Sequence, residues 1–461
     1  MRLFWHQRDL RVRDNRGLAT AAADGPVVPV FVYDTDFLEH VGLRQRAFFM
    51  EGVRELHESY RERGSDLVVR SGQPSEVLPE AAAEFGADTV VYNEHYRPAR
   101  RERQQRGEAV CDRAEIDTVA ETDLVLVDPG RLDERYPNHS QFHDDWQQVP
   151  KEPPAPTPES ADLADIDSGE TVPVPDADID LPEAGSDAAR DRYDAFLQEG
   201  IYSYSDTRDD LSLAVEQPTQ AVSRMSPYLA AGMIGIRELW RDATEIHDSV
   251  SSSEQRNVGK YRYELSWREG NYHLLYYNPD LPTANYKSFP EEVEWRDDPE
   301  GFAAWKRGET GYPLVDAGMR QLREEGYIHN RPRQVVASFL TKHLLVDWRE
   351  GLRHFAAQLV DHDPASNAGN WQWIASTGTD SVDVRIFDPV SQTSKYDDGA
   401  TFVKAYVPEL RDVPAGKVVD WPTLSAAERE RLAPDYPDPI VDRDEGYERA
   451  QRVFERALGK R

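Results

Sequence analysis

Glu264, Trp267, Arg268 and Asn271 fall at i, i+3, i+4 and i+7, so a helix sets them on one face. An acid, an indole, a guanidinium and an amide in one row make a poor core pattern. The row suits a polar ligand with a flat ring to stack, and it also suits an amphipathic helix with an exposed ion pair. A second concentration holds Asp361, His362, Asp363, Asn367, Trp371 and Trp373. Its Asp, Pro, Asn and Gly content predicts a loop. Such a loop either gathers acids and aromatics around a ligand or anchors a connector in the core through its indoles. A third, Ser223-Arg224-Met225-Ser226-Pro227, precedes an apolar run. Ser226 as N-cap and Pro227 at the first helical position predict a helix start, either an ordinary capped end or an anion site. Trp295, Trp348 and Trp371 are large oxidisable rings, able to pass electrons if they lie close and otherwise plain core.

These residues need elements to hold them. Leu3–Trp5, Val27–Tyr33, Leu67–Arg70 and Thr89–Asn93 read as buried strands, with helices over Arg44–Glu62 and Glu76–Phe85. The alternation predicts an α/β domain with a parallel, Rossmann-like sheet over residues 1–134. No Gly-rich phosphate fingerprint follows the first strand, so dinucleotide binding there is not supported. Residues 135–187 read as an interdomain linker. Pro, Asp, Glu and Ala dominate Glu152–Glu183, which has no helical or strand period and should wrap loosely. Residues 188–461 read as an all-α domain. Within it Phe289–Gly311 is expected to be an irregular connection, and Pro332–Val346 a long helix burying Val335, Val336, Phe339, Leu340 and Leu344.

The chain has 461 residues, with 54 Lys plus Arg against 85 Asp plus Glu, a formal net charge of −31. Nucleic-acid binders usually show the opposite balance. Either the partner is not nucleic acid, or the surface is acidic to suit a salt-filled cytoplasm and only a local groove is basic. In concentrated salt, binding to DNA gains little from counterion release and rests on stacking and pocket contacts. A single cysteine, Cys111, excludes an internal disulfide and a Cys-based zinc site, and no metal site is expected. With no apolar run long enough for a membrane and no charged-then-apolar leader, a cytoplasmic protein is expected.

Further motifs occur in order: Trp5-His6-Gln7-Arg8-Asp9-Leu10-Arg11, Asn330-Arg331-Pro332-Arg333, Val346-Asp347-Trp348-Arg349-Glu350, Ala375-Ser376-Thr377-Gly378-Thr379-Asp380 and Tyr436-Pro437-Asp438-Pro439-Ile440-Val441. With these the chain resembles, over nearly its whole length, the photolyase and cryptochrome flavoproteins, most closely the class I cyclobutane pyrimidine dimer photolyases. The resemblance implies FAD in the helical domain, held by Tyr204, Ser223, Arg224, Met225, Ser226, Arg333, Asp361, His362, Asp363 and Asn367. Arg333 then pairs with Asp361, Asp363 sits at the polar edge of the flavin ring, and Asn367 faces its N5. It implies that Glu264 hydrogen-bonds a flipped dimer while Trp267 and Trp373 pack on it. Arg208, Arg268, Asn271, Asn330, Arg331, Gln334 and Gln392 become DNA-binding residues, and Trp295, Trp348 and Trp371 an electron-transfer chain. The family also carries an antenna chromophore in the α/β domain. A folate, a deazaflavin or none is compatible here, with Asn93-Glu94-His95 a candidate dock. A monomer is the family expectation.

The implied activity is light-driven repair of pyrimidine dimers in DNA. The alternative is a cryptochrome-like blue-light receptor without repair. This chain departs from the family at Val222, where Thr is usual, at Gly270 and Asn271, where aromatics are common, at Gln334, and in the short Ser381–Val384 segment. These departures favour the receptor. Retained Glu264 and Trp373 favour the enzyme.

Overall fold

The computed structural model describes residues 1–168 and 171–460. The first element, β1 (Arg2–His6), lies at the centre of a five-stranded sheet with β2 (Val27–Tyr33), β3 (Val68–Ser71), β4 (Thr89–Asn93) and β5 (Asp117–Glu121). All pairings are parallel, in the order β3-β2-β1-β4-β5. The four apolar runs are the three inner strands and the edge strand β3, whose Val68 and Val69 are buried. β5 carries no such run because it is an edge strand with exposed residues.

The order reverses beside β1, where open α/β sheets commonly take a ligand. Here that point is filled. The Asn93 amide donates to Asp9 (2.5 Å) and Asn15 (2.8 Å) and accepts from Gly17 N (2.9 Å).

The expected linker is not loose at its start. His139–Gln148 is a helix, opened by the Asn138 side chain accepting from Gln141 N. It buries Phe142 and Trp146 against the 26-residue helix Ser252–Tyr277. Trp146 Nε1 donates to the buried carboxylate of Glu269 (2.8 Å), which also accepts from Leu126 N (2.6 Å) and Val127 N (3.2 Å). Two aromatic anchors and one buried acid therefore order what its polar sequence did not suggest. Further on, Ala164 N donates to Val27 O (2.9 Å), tying the linker to the sheet.

The helical domain corrects four expectations. The acid and tryptophan stretch is no loop: Pro364–Ala375 is a helix, capped by Asp363 accepting from Ser366 N (2.8 Å). Its Gly has a packing reason, since a Cβ on Gly369 would lie 2.1 Å from Asn271 Oδ1 on the neighbouring helix. The expected helix Pro332–Val346 is an α-helix, Asn330–Ser338, that widens into a π-turn over Phe339–His343. That turn buries Lys342, whose ammonium donates to Ala375 O (2.6 Å) and Ser376 Oγ (3.1 Å) at the end of the tryptophan helix. The irregular connection contains the helix Pro299–Arg307, set between an Asp298 cap and a left-handed Gly308. The helix Ser226–Ala231 has Met225, not Ser226, at its cap position, and no side chain caps it. With six residues and no such cap, it gives no support to an anion site at a helix start.

The α/β and helical domains meet across buried charge. Arg11 Nη2 lies 2.5 Å from Asp123 Oδ2, and Arg237 pairs with both Asp14 (2.6 Å) and Asp123. Gly232 is needed beside this cluster: its φ is +70°, and a Cβ there would strike the Arg8 carbonyl at 1.9 Å. Burial opposes ionisation of Asp123, but Arg11 and Arg237 outweigh it and hold the carboxyl down to about 2. Its stabilisation is present above about pH 4, the unfolded value, and is lost as pH falls toward about 2. Asp123→Asn, which strands two buried guanidiniums, should cost about 3–5 kcal/mol in urea titrations at pH 7. A loss under 1 kcal/mol would show that the cluster does not hold the domains together.

Candidate functional site

The helix Ser252–Tyr277 and the helix Pro364–Ala375 wall a cavity of about 400 Å3. Glu264, Trp267, Arg268 and Asn271 line it from the first helix, as their spacing requires, and Ser366, Asn370 and Trp373 from the second. Tyr204, Arg208 and the loop Ser223–Ser226 close another side, and Asn330 and Gln334 a third. Lys260 and Tyr327 also line it, and the sequence reading missed both. A smaller recess shares Asn330, Gln334, Ser366 and Asn370 with it and reaches Arg333, Asn367 and Trp371.

Glu264 is held between two cations. Arg208 Nη1 and Lys260 Nζ (2.6 Å) both approach its Oε1. Arg208 is thus spent on an acid of the same wall. Trp267 and Trp373 lie 6.3 Å apart, tilted by 54°, and the Arg385 guanidinium sits 4.8 Å over Trp373. Arg331 lies outside the cavity lining. It pairs with Asp209 (2.7 Å), donates to Gln334 Oε1 (2.7 Å) and covers the ring of Tyr396 at 4.2 Å. Gln392, one turn before Tyr396, is half-buried with its Oε1 unpartnered among the described residues.

The loop Ser223–Ser226 is built for an anion by its side chains. Arg224 adopts φ +50°, lies 4.6 Å from the centre of the Tyr327 ring and pairs with Glu325 (3.0 Å). Arg192, another residue the sequence reading missed, donates to Ser223 O (3.0 Å). Burial and then the nearby Arg224 lower its guanidinium below the usual value. Arg192 Nη2 and Arg224 Nε are both buried without a partner among the described residues. Two crowded guanidiniums with idle donors fit a diphosphate.

The acids of the third motif are divided. Arg333 pairs with Asp361 at 3.3 Å, as expected. Asp363 turns the other way: its Oδ2 accepts from Arg8 Nη2 (2.7 Å), out of the α/β domain, and from Tyr272 OH. Burial opposes its charge, but Arg8 outweighs that and keeps the carboxyl well below the usual range. His362, expected at the cofactor, lines a separate crevice with Arg8, Gln45 and His95. As the residue before the helix cap it faces Leu43–Arg61, where Gln45 Nε2 donates to its carbonyl (2.5 Å). Its imidazole is pushed down to about 4 by burial. Asn367 donates to Leu352 O (3.2 Å).

Trp371 and Trp348 are buried and Trp295 is half-buried. Trp348 heads the helix Trp348–Gln358 and donates to Asn285 (2.9 Å), and Trp295 packs edge-on against Phe454 (5.8 Å). Trp371 meets Phe355 (5.0 Å) and Trp305 (6.3 Å), the latter absent from the sequence reading.

A Rossmann-like sheet domain, a helical domain and one cavity bearing acid, indoles and anion-binding arginines define the class. Residues 2–160 match the family model described as DNA photolyase, and residues 261–456 that of the FAD binding domain of DNA photolyase. The chain is 44% identical to the deoxyribodipyrimidine photo-lyase of Halobacterium salinarum, covering 100% of both chains. A bacterial class III photolyase from Agrobacterium tumefaciens superposes with a TM-score of 0.89 at 33% identity, covering 100% of this chain and 98% of the other. An archaeal photolyase from Sulfolobus tokodaii, whose structure holds two FAD molecules, superposes with a TM-score of 0.83 at 30% identity, covering 99% of each. The chain belongs to the DNA photolyase family.

Gly351, one turn after Trp348, admits Trp371: a Cβ there would lie 2.2 Å from the indole's Cη2. Gly351→Ala should therefore cost about 1–3 kcal/mol and lower flavin content, read by thermal melting and by absorbance of the purified protein. An unchanged melt with full flavin would mean that Trp371 is not held there.

Proposed function

We infer that the chain restores cyclobutane pyrimidine dimers in DNA under light, with FAD as its cofactor. The observation that carries this is one cavity joining an acid and two indoles to an arginine-flanked anion loop. Reduced FAD, when bound, supplies on excitation the electron that opens the cyclobutane bonds. The protein supplies position and electrostatics. Ser223, Arg224, Met225, Ser226 and Arg192 hold the diphosphate side, and Arg333, Asp361 and Asn367 the ring side. A dimer flipped out of the duplex meets Glu264, a hydrogen-bond acceptor fixed between Arg208 and Lys260, and packs on Trp267 and Trp373. Asn330, Arg331 and Gln392 flank the entrance and contact DNA, and Trp371, Trp348 and Trp295 carry electrons inward.

For a second chromophore, the dock at Asn93-Glu94-His95 gives only a crevice of about 30 Å3. A crevice of about 340 Å3 lies beyond β2, lined by Asp34, Phe37, Gln73, Arg97, Arg103 and Arg106. Arg97 and Arg103 of this lining, with Arg100 behind them, lie over the Phe37 ring and suit a flat, anionic chromophore. The large exposed apolar residues are few and scattered, which supports a monomer. No helix among the described residues is long and apolar enough to cross a membrane, and we place the protein in the cytoplasm.

With reduced FAD and light, a thymine-dimer oligonucleotide should regain its thymine absorbance, and a six-four lesion should not. The assay belongs in potassium chloride up to molar levels, given a net charge of −31. Glu264→Ala should slow splitting by about tenfold, the worth of one hydrogen bond. Trp373→Ala should weaken binding by about 1–3 kcal/mol. Flavin photochemistry without splitting at any salt would replace this reading with the receptor. Separately, Trp371→Phe should stop light-driven reduction of oxidised flavin by a thiol while chemically reduced protein keeps its repair. Unchanged photoreduction would remove Trp371 from the electron path.

A further inference from the structure

Trp267 lines the cavity, and something covers its back. His139, the first residue of the linker helix, stacks on the indole with ring centres 3.7 Å apart and planes 14° from parallel. His139 itself does not line the cavity. Its ring is fixed from two sides. Ser266 Oγ donates to Tyr263 O (2.7 Å), which leaves the oxygen free to accept from His139 Nε2 (3.1 Å) and His143 Nδ1 (2.8 Å). The other edge of the imidazole rests on Gly270, where a Cβ would stand 3.1 Å from Nδ1 and 3.3 Å from Phe142 Cδ1. A Cβ at 270 would already make the ring give by a few tenths of an ångström, and a long side chain such as Leu would press further into it.

We propose that His139 is a positioning residue for the damaged-base pocket: by covering one face of Trp267 it fixes the indole plane and leaves the other face to the substrate. This rests on the reading of Trp267 as a wall for a flipped dimer. The stack explains why position 270 is Gly, and it makes the linker part of the site. The groups that face the imidazole are His143, Tyr263, Ser266, Trp267 and Lys260. Burial, then His143 and Lys260, push it down to about 3, so a neutral ring stacks at physiological pH.

The test uses full-length, flavin-loaded protein carrying His139→Ala, His139→Gln, His139→Phe or Gly270→Leu. Binding to thymine-dimer DNA and to the same undamaged duplex is measured, with single-turnover splitting at saturation. His139→Ala, His139→Gln and Gly270→Leu should each weaken dimer binding by about three- to tenfold, the worth of one aromatic pair. Undamaged DNA should bind unchanged, and saturated splitting should stay within about twofold, also the reach of a weak ring contact. His139→Phe keeps a ring without the Ser266 bond and should restore the dimer affinity. His139→Gln keeps a polar partner for Ser266 and so reports on the ring even if the Ala variant fails to fold. Full dimer affinity in folded His139→Gln, or an equal loss on both DNAs, overturns the proposal. If the unsubstituted protein shows no preference for dimer DNA, the repair reading falls and takes this proposal with it. A preference that His139→Gln leaves intact overturns the stack alone.

Discussion

The cavity depends on the close approach of two helices at Asn271 and Gly369. A Cβ at 369 would stand 2.1 Å from Asn271 Oδ1, so a side chain there would force the Asn271 amide or the tryptophan helix to move. That contact sets how far Trp373 stands from Trp267 and Glu264, and so the width of the void between them. Packed interiors do not stretch to absorb a misfit. The same economy recurs behind Trp267, where Gly270 admits His139, and behind Trp371, where Gly351 admits the indole. Glycines on one element accept side chains from another at three points around one site, an amide at Gly369 and rings at Gly270 and Gly351.

Charge is handled differently inside and outside. The chain carries a −31 balance, yet most cations near the cavity are matched by an acid, with Arg268 donating instead to Leu124 O (2.9 Å). Arg208 and Lys260 meet Glu264, Arg331 meets Asp209, and Arg385 meets Asp380. Few of these guanidiniums are idle for phosphate. Affinity for a nucleic acid then rests on rings and shape more than on counterion release, which suits a high-salt setting. Idle donors remain on Arg192, which bonds the loop read as the diphosphate site through Ser223 O, and on Arg224 within that loop, although Arg224 also meets Glu325.

The two domains are joined through buried polar groups as much as through apolar surface. Arg8 reaches from the end of β1 to the carboxylate that caps the tryptophan helix, and Arg11 and Arg237 share Asp123. Buried pairs are costly to break one member at a time, so the α/β domain and the cavity wall cannot shift independently without loss.

Spacing by itself determined much of the site. The period of 3.6 puts Glu264, Trp267, Arg268 and Asn271 on one face whatever the helix packs against, and apolar runs mark four of the five strands because both faces of a parallel sheet are buried. Only the tertiary structure decided the rest. The segment from Asp363 to Ala375 carries the residues of a loop, because composition cannot distinguish a Gly that turns from a Gly that lets a neighbour in. The linker helix looks unpatterned because two residues, Phe142 and Trp146, supply its anchorage to a surface the local sequence does not contain. β5 hides its strand character at a solvated edge. Asp361 and Asp363 read alike two residues apart, and the partners that part them come from different domains, Arg333 from the helical domain and Arg8 from the start of the chain. Local sequence encodes which side chains a backbone can present together, and the long-range contacts decide which of them meet.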